Sequence, residues 1–218
     1  MNFDFYSFAE RKNTWATIVA FRSAFPNFED HVGLVIKCHH GERHLEKFRL
    51  LQKLAEQDPR ISILDCLLSR EEMYGLQSVC DAYVSLHRSE GFGLGMAECM
   101  AMGKPVIGTG YSGNLVMNSD NSCLVDFTLI PIKPGQYINY EPGWMWADPD
   151  VVHAAEYMIR LFKDPNYRYG ISTRAAADMG ARYNHQVVGS VIKDRLDYLS
   201  DLHSEWKKPN QNGRLSLD

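Results

Sequence analysis

A glycine-rich turn between a predicted strand and a predicted helix constrains the fold of this chain more than any other feature. Residues 81–86 (DAYVSL) form a short apolar run that predicts a β-strand, and residues 94–102 predict a helix. Between them lies SEGFG, so Glu90 falls at the carboxyl end of the strand and Glu98 about one turn into the helix. In an open parallel sheet, ligands bind in the crevice at this edge.

The residues of this turn suit an anion with hydroxyl groups attached. Glycine lets the backbone approach a ligand closely, and the N–H groups at a helix N-terminus attract anions such as a diphosphate. Two carboxylates in the same place suit the hydroxyls of a sugar and a ribose. The plainer alternatives are a solvated surface glutamate for Glu90 and an ordinary helical glutamate for Glu98. The apolar neighbours of Glu98 instead indicate a buried carboxylate that needs a partner.

Strand and helix patterns alternate along the chain. We predict strands over residues 3–8, 32–37, 60–64, 81–86, 105–109 and, as the last strand, 123–126. We predict helices over residues 13–25, 43–57, 71–79 (with a Ser69–Glu72 capping box), 94–102, 148–162, 166–183 and 185–202. This order predicts an α/β fold with a doubly wound, Rossmann-like parallel sheet and C-terminal helices. Residues 127–143 predict a loop and residues 206–218 a flexible tail, which leaves one domain over residues 1–205.

Composition and charge exclude several classes of protein. The net charge of −4 argues against a nucleic-acid partner. No apolar stretch is long enough to span a membrane, and the N-terminus lacks the basic start and apolar core of a signal peptide. The five cysteines are scattered without a CxxC pair, which predicts a reduced, cytoplasmic protein.

A second motif follows the first along the chain. The E-x7-E pattern of Glu90 and Glu98 contains EGFGL, and GKPVIGTGYSGN comes after it. Together these motifs resemble the family 4 retaining GT-B glycosyltransferases, closely over residues 85–125 and more loosely over roughly residues 1–200. The resemblance implies the C-terminal domain, which binds a nucleoside diphosphate sugar. Because the resemblance covers only that domain, we expect the acceptor-binding N-terminal domain to be absent, and we expect donor binding but little or no transfer by the chain alone.

The resemblance implies roles for the residues of the turn. Glu90 would position the donor sugar and stabilise charge near its reacting carbon, and Glu98 would bind the two ribose hydroxyls. Backbone N–H groups would meet the sugar and phosphates at Gly91, Phe92, Gly93 and Leu94.

Arg11 and Lys12 follow the first predicted strand, which ends in the same crevice. Fixed cations there would stabilise a leaving diphosphate without a metal ion, whereas the alternative is a solvated basic pair. Many members of the family separate an arginine and a lysine by several residues, but here the two are adjacent. If Lys12 is the family lysine, Ser7 falls near the arginine position. Either Arg11 then replaces that arginine, or Ser7 binds a phosphate as a hydroxyl donor.

The resemblance extends to substrates and partners. The sequence YSGN at residues 111–114, with WADPD at 146–150, resembles mannosyltransferases of bacterial surface polysaccharide synthesis, which favours GDP-mannose over UDP-sugars. The expected acceptor is a saccharide or lipid-linked saccharide held by the N-terminal domain, with peripheral membrane association of the full enzyme and no cofactor. The alternatives are a non-catalytic sugar-nucleotide-binding module, a truncated remnant, or a GT-B sugar-nucleotide epimerase.

His39 and His40, with His44 nearby, raise the question of a metal site. Zinc sites usually have thiolates or a third ligand fixed elsewhere in the fold, and the sequence shows no CxxC or carboxylate-rich partner. A loop with solvated histidines is the preferred interpretation, so no metal is expected. His87 and Arg88, which border Glu90, are likewise interpreted as structural. Residues 186–202 are predicted to expose an apolar helix face.

Overall fold

Seven strands in three sheets, counted over the part of the chain that the structure describes, carry the site. The computed structural model describes residues 1–114, 116–138 and 140–206, the last three by backbone alone. The strands are β1 (Leu34–Cys38), β2 (Ile61–Asp65), β3 (Tyr83–Ser85), β4 (Val106–Thr109), β5 (Cys123–Val125), β6 (Phe127–Pro131) and β7 (Met145–Pro149). They belong to the first of two compact units, residues 1–177, and the second unit begins at Asp178.

The parallel pairing that the sequence predicts is confirmed. Strand β1 pairs with β2, and β4 lies between β3 and β5, all in parallel register. Every residue of β3 and β4 is buried, as expected for apolar strands covered on both faces. The chain therefore has the predicted α/β class, with helices following strands in the expected order.

Eight helices of at least one α-helical turn occur within the described residues. They are α1 (Ala9–Lys12), α2 (Thr14–Ala24), α3 (Leu45–Ala55), α4 (Arg70–Val79), α5 (Leu94–Ala101), α6 (Val151–Lys163), α7 (Pro165–Arg182) and α8 (His185–Trp206). The predicted capping box of α4 is present, since Ser69 Oγ accepts from the Glu72 N–H and the Glu72 carboxylate accepts from the Ser69 N–H. None of these helices, as far as the structure describes them, is long and apolar enough to cross a membrane.

The core of the first unit lies where α2 and α6 pack with the strands. Ile18 and Phe21 of α2, Ile36 of β1, Ile107 of β4 and Leu161 of α6 belong to one buried apolar cluster. This cluster fixes the strands whose carboxyl ends carry the site. In the second unit, α8 exposes much of its apolar surface, as predicted for residues 186–202. Its exposed large side chains are Val187, Val188, Val191, Ile192, Leu196, Tyr198, Leu199 and Leu202.

The predicted first strand, residues 3–8, is wrong. The N-terminal segment forms only an isolated parallel bridge, between Asn2 and Lys37, and then turns into a 3₁₀ helix at Phe5–Ser7. The Asp4 side chain accepts a hydrogen bond from the Tyr6 N–H at 2.9 Å and caps that helix. A short polar side chain that bonds its own backbone in this way competes with strand pairing.

Residues 127–143 are not simply a loop, and residues 123–126 are not the last strand. Strand β6 pairs with β7 in an antiparallel hairpin, with Phe127 opposite Pro149 and Pro131 opposite Met145. The hairpin buries Trp146 and Ala147 on its β7 strand. The prolines of the hairpin lie at strand ends, where a missing N–H is tolerated. The composition of the segment therefore predicted a loop, although its backbone forms strands. Apart from Trp206, the predicted tail over residues 206–218 lies outside the described residues.

Candidate functional site

The two predicted cations lie on a four-residue helix with strained ends. Helix α1 begins after Phe8, at φ 64°, and ends at Asn13, at φ 51°, and both values are positive for non-glycine residues. Such backbone angles persist only where the surrounding structure fixes them, and they are common at functional sites. The Asn13 side chain is buried, and its Nδ2 has no hydrogen-bond partner among the described residues.

Lys12 and Arg11 both reach Glu90 across the sheet edge. The Lys12 ammonium lies 2.5 Å from Glu90 Oε2, and Arg11 Nη1 lies 3.6 Å from Glu90 Oε1. Arg11 also donates to the Ser89 carbonyl at 2.7 Å and to the Ser7 carbonyl at 3.1 Å. The structure therefore brings the predicted cations and the first glutamate together, with Arg11 bound mainly to backbone.

Burial and charge act in opposite directions on this ion pair. Burial raises the pKa of Glu90, but the hydrogen bond and charge of Lys12, with the charge of Arg11, outweigh it and leave the pKa below its ordinary value. Burial also lowers the pKa of Lys12, and Glu90 offsets only part of that effect. Glu90 is thus an ionised carboxylate at neutral pH, held against a partly desolvated ammonium.

Gly93 is the residue of the turn whose backbone conformation favours glycine. It lies at φ 81° as the N-cap of α5, and a Cβ there would collide with the methyl group of Met96. Gly91 has open space around it. The turn therefore places the N-terminus of α5 beside Glu90 through one left-handed residue.

Ser112 and Gly113 hold the backbone of Glu90. Ser112 Oγ accepts from the Glu90 N–H at 2.7 Å and donates to the Glu90 carbonyl at 2.9 Å, while the Gly113 N–H donates to the same carbonyl at 2.8 Å. A Cβ on Gly113 would collide with the Gly91 carbonyl. The turn after β4 thus positions the glutamate that follows β3, and the YSGN sequence was the signal for it.

Among the described residues, Glu98 has hydrogen-bond partners on α4 and no partner of opposite charge. Tyr74 donates to Glu98 Oε1 at 3.4 Å and Gln77 Nε2 to Oε2 at 3.5 Å. These bonds are long, so the carboxylate keeps acceptor capacity for a ligand hydroxyl.

A pocket of about 320 Å³ gathers these groups, near the lower limit for small-molecule sites. It is lined by Asn2, Phe3, Asp4, Ser7, Lys12, Lys37, Tyr83, Ser85, Glu90, Gly93, Leu94, Gly95, Met96 and Glu98. Of the predicted site residues, Arg11, Gly91 and Phe92 are outside this lining. Sequence reasoning missed Lys37, although a lysine at the carboxyl end of a buried strand is an unusual placement that could have indicated it.

His87 and Arg88 precede Glu90 and are held by contacts with neighbouring side chains. His87 is fully buried, its Nδ1 lies 3.2 Å from Ser85 Oγ, and burial lowers its pKa to about 4. Arg88 pairs with Asp148 at 2.9 Å and lies over the Trp146 ring, which ties the hairpin to the site. These contacts agree with the structural interpretation of both residues.

The chain belongs to the family described as glycosyl transferases group 1, whose sequence profile matches residues 12–130. The matched stretch begins at Lys12 and contains both Glu90 and Glu98. No curated protein matches the chain in sequence.

Solved glycosyltransferase structures resemble the fold. HepE of Anabaena, solved with UDP and glucose, has a TM-score of 0.66 and 18% identity, over 90% of this chain and 48% of HepE. Sucrose-phosphate synthase of Thermosynechococcus elongatus has a TM-score of 0.64 and 18% identity, over 88% of this chain and 43% of that enzyme. The chain thus spans about half the length of these proteins. At such identities the likeness shows the fold, that of a GT-B C-terminal domain.

A solved structure of a C-terminal domain alone matches this chain over similar shares of both chains. The C-terminal domain of LpcC, a group 1 glycosyl transferase of Francisella tularensis, has a TM-score of 0.58 and 19% identity. The match covers 84% of this chain and 85% of that domain. The fold of this chain therefore resembles that of this isolated domain over most of both chains.

Proposed function

We propose that this chain is the donor-binding half of a retaining family 4 glycosyltransferase, which transfers a hexosyl group from a nucleoside diphosphate sugar. The observation that supports this most is the pocket itself, where Lys12, Glu90 and Glu98 surround the N-terminus of α5. Cation, carboxylates and backbone N–H groups in one place match the diphosphate, ribose and sugar of such a donor.

Each part of the donor has a complementary group in the pocket. Lys12 and Lys37 supply positive charge for the diphosphate, together with the N–H groups at the start of α5. Glu98 accepts hydrogen bonds from the two ribose hydroxyls, and these replace its long hydrogen bonds to α4. Glu90 faces the sugar and keeps its ionised form through its contacts with the cations.

The same groups serve the transfer step. When the bond between the anomeric carbon and the diphosphate breaks, negative charge grows on the leaving group, and the Lys12 ammonium stabilises it. The ionised Glu90 stabilises the positive charge that develops on the sugar, as carboxylates do in glycoside hydrolysis. The acceptor hydroxyl attacks from the same face, so configuration is retained, and the leaving diphosphate takes its proton. No metal is required in this scheme, because the cations replace it.

The proposed donor, acceptor and location rest on the sequence resemblance, with one comparison supporting an alternative donor. The YSGN and WADPD sequences favour GDP-mannose, whereas the complex of HepE with UDP-glucose favours that nucleotide sugar as the alternative. We place the acceptor, a saccharide or lipid-linked saccharide of surface polysaccharide synthesis, on a second domain, and the enzyme in the cytoplasm with peripheral membrane contact.

Calorimetric titration of the chain with UDP, GDP, UDP-glucose and GDP-mannose in EDTA tests the proposal. We expect one nucleotide family to bind with one-to-one stoichiometry, and its sugar form to bind more tightly than the free nucleotide. Absence of binding for all four compounds would contradict donor binding by this chain. Added Mg²⁺ should leave the affinity unchanged.

Three variants separate the roles of the carboxylates. Glu98→Ala should weaken nucleotide and sugar nucleotide alike, by about tenfold for loss of a charged hydrogen-bond acceptor. Glu90→Ala should mainly reduce the difference in affinity between the sugar nucleotide and the free nucleotide. Glu71→Ala, an exposed glutamate on α4, is the control and should change neither. Equal effects of the first two variants would contradict the assigned roles.

A further inference from the structure

We infer that Asp4, His39 and His40 form a binding site for a divalent ion of the zinc class, at the rim of the pocket. Their ligand atoms all lie within 4.8 Å of one another. Asp4 Oδ1 lies 3.0 Å from His40 Nδ1, and Asp4 Oδ2 lies 3.9 Å from His39 Nδ1. This assignment stands on these three residues and does not depend on the proposed donor.

Asp4, the third ligand, was not predicted from the sequence because it lies in the N-terminal segment, 36 residues from His40. That segment runs beside β1, where the Phe3 N–H donates to the Lys37 carbonyl at 3.0 Å and the Phe5 N–H to the His39 carbonyl at 3.1 Å. These bonds hold Asp4 opposite the two histidines. The cluster is thus fixed by backbone pairing as well as by side-chain contact.

The spacing of the ligand atoms is close to what a tetrahedral ion needs. Two ligands at the usual zinc distance of about 2.05 Å are separated by about 3.3 Å, between the two distances observed. His40 lies at φ 63°, and the centroids of the Tyr6 and His40 rings lie 4.5 Å apart. Small rotations of His39 and Asp4 would complete the geometry.

The chemistry of the donor set favours zinc-class ions. Two imidazoles and one carboxylate are ligands that Zn²⁺, Ni²⁺ and Co²⁺ share, while Mg²⁺ prefers oxygen ligands alone. The three side chains are partly exposed, at 42% for Asp4, 27% for His39 and 29% for His40, so a fourth position stays open to water. Since Asp4 also lines the pocket, a bound ion would stand at its entrance.

A Co²⁺ titration of the tag-free chain, followed by visible absorption, tests the site. The background carries Cys66→Ser, because that exposed thiol could bind the probe. We expect one equivalent of Co²⁺ to give a d–d band, and one equivalent of Zn²⁺ to abolish it. Asp4→Asn, His39→Ala and His40→Asn should each weaken Co²⁺ binding by at least about tenfold.

The substitutions are chosen to keep the local backbone. Asparagine still caps the 3₁₀ helix at position 4 and tolerates a positive φ at position 40. The matched control is His153→Ala, since His153 pairs with Asp126 at 3.2 Å without a second histidine in the cluster. The control should leave Co²⁺ binding unchanged.

Two results would overturn the assignment. One is the absence of a one-to-one Co²⁺ complex in the parent chain, which would leave Asp4 and His40 as a simple ion pair. The other is unchanged affinity in all three ligand variants. Nucleotide titration in EDTA examines the donor pocket separately, so failure of one proposal is distinguishable from failure of the other.

Discussion

The Lys12 ammonium and Glu90 Oε2 lie 2.5 Å apart although 78 residues separate them in sequence. The contact joins α1 to the turn after β3, and both side chains are largely buried. A diphosphate that entered the pocket would meet an ammonium already paired with a carboxylate. Glu90 and the phosphate therefore compete for the same cation.

This competition predicts opposite effects of one substitution on two ligands. Glu90→Gln should strengthen binding of the free nucleoside diphosphate by at least about fivefold, because the largely buried Lys12 ammonium is left without a carboxylate partner. It should also reduce the extra affinity that the sugar provides. Calorimetry with both ligands measures the two effects.

Glu10→Gln is the matched control for that experiment. Glu10 lies on the same helix α1, but its carboxylate pairs with Lys47 at 2.8 Å. Its substitution should leave both affinities unchanged. Weaker nucleoside diphosphate binding in Glu90→Gln would contradict the competition.

Gly93 and Gly91 should differ sharply in their tolerance of alanine. Gly93→Ala places a Cβ at φ 81°, where it meets the flexible end of the Met96 side chain, and should lower the free energy of unfolding by about 1–2 kcal/mol, mainly through backbone strain. Gly91→Ala meets open space and should stay within about 0.5 kcal/mol of the parent chain. Urea denaturation measures both values. Equal losses would show that the left-handed residue does not define the turn.

Removing the Ser112 hydroxyl should affect the sugar more than the nucleotide. Ser112→Gly deletes the two bonds to the Glu90 backbone and suits the φ of 71° at this position. We expect the affinity gain from the sugar to fall by about 1 kcal/mol, because Glu90 is less well positioned. Titration with the nucleotide and its sugar form tests this, and an equal loss for both would argue against a positioning role.

His87 predicts an acid-sensitive fold. Its pKa is about 4 in the folded chain and 6.5 in the unfolded reference, so the unfolded state binds more protons between these values. The free energy of unfolding should be fully retained above pH 6.5 and should fall by about 3 kcal/mol as the pH decreases toward 4. Urea denaturation at several pH values measures this slope.

His87→Asn should flatten that pH dependence, whereas His31→Asn should preserve it. His31 is exposed and so serves as the control. The lowered pKa of Glu90 adds a loss of stability only at lower pH, below its ordinary value of 4.5. A parent chain with constant stability between pH 7 and 5 would contradict the assignment to His87.

Sequence reasoning succeeded where the determinants of structure are local. The turn from Glu90 to Gly93 and the capping box of Ser69 depend on neighbours within a few residues, and both are present as predicted. The parallel sheet followed from the alternation of elements. The contacts of Glu98 with α4 were not predicted, although the need for a partner was.

The remainder depends on contacts between distant segments. Asp4 reaches His40 across the edge of β1, and Arg88 reaches Asp148 on the hairpin, and no spacing in the sequence encodes either pair. The prediction of an N-terminal strand was wrong because a side-chain hydrogen bond of Asp4 caps a 3₁₀ helix there. The β6–β7 hairpin was hidden by prolines that stand at its ends.

The break at Asn13 also determines which changes in length the chain can accept. Asn13, in the left-handed region, separates helices α1 and α2, and each residue added to a helix rotates its side chains by about 100°. A single insertion between Phe8 and Asn13 would therefore turn Lys12 away from Glu90 while leaving every charge in the chain. In the exposed turn near Gly135, the same insertion would extend only a loop. The position of the Lys12 cation therefore depends on the helical register of the four residues Ala9–Lys12 more than on their composition.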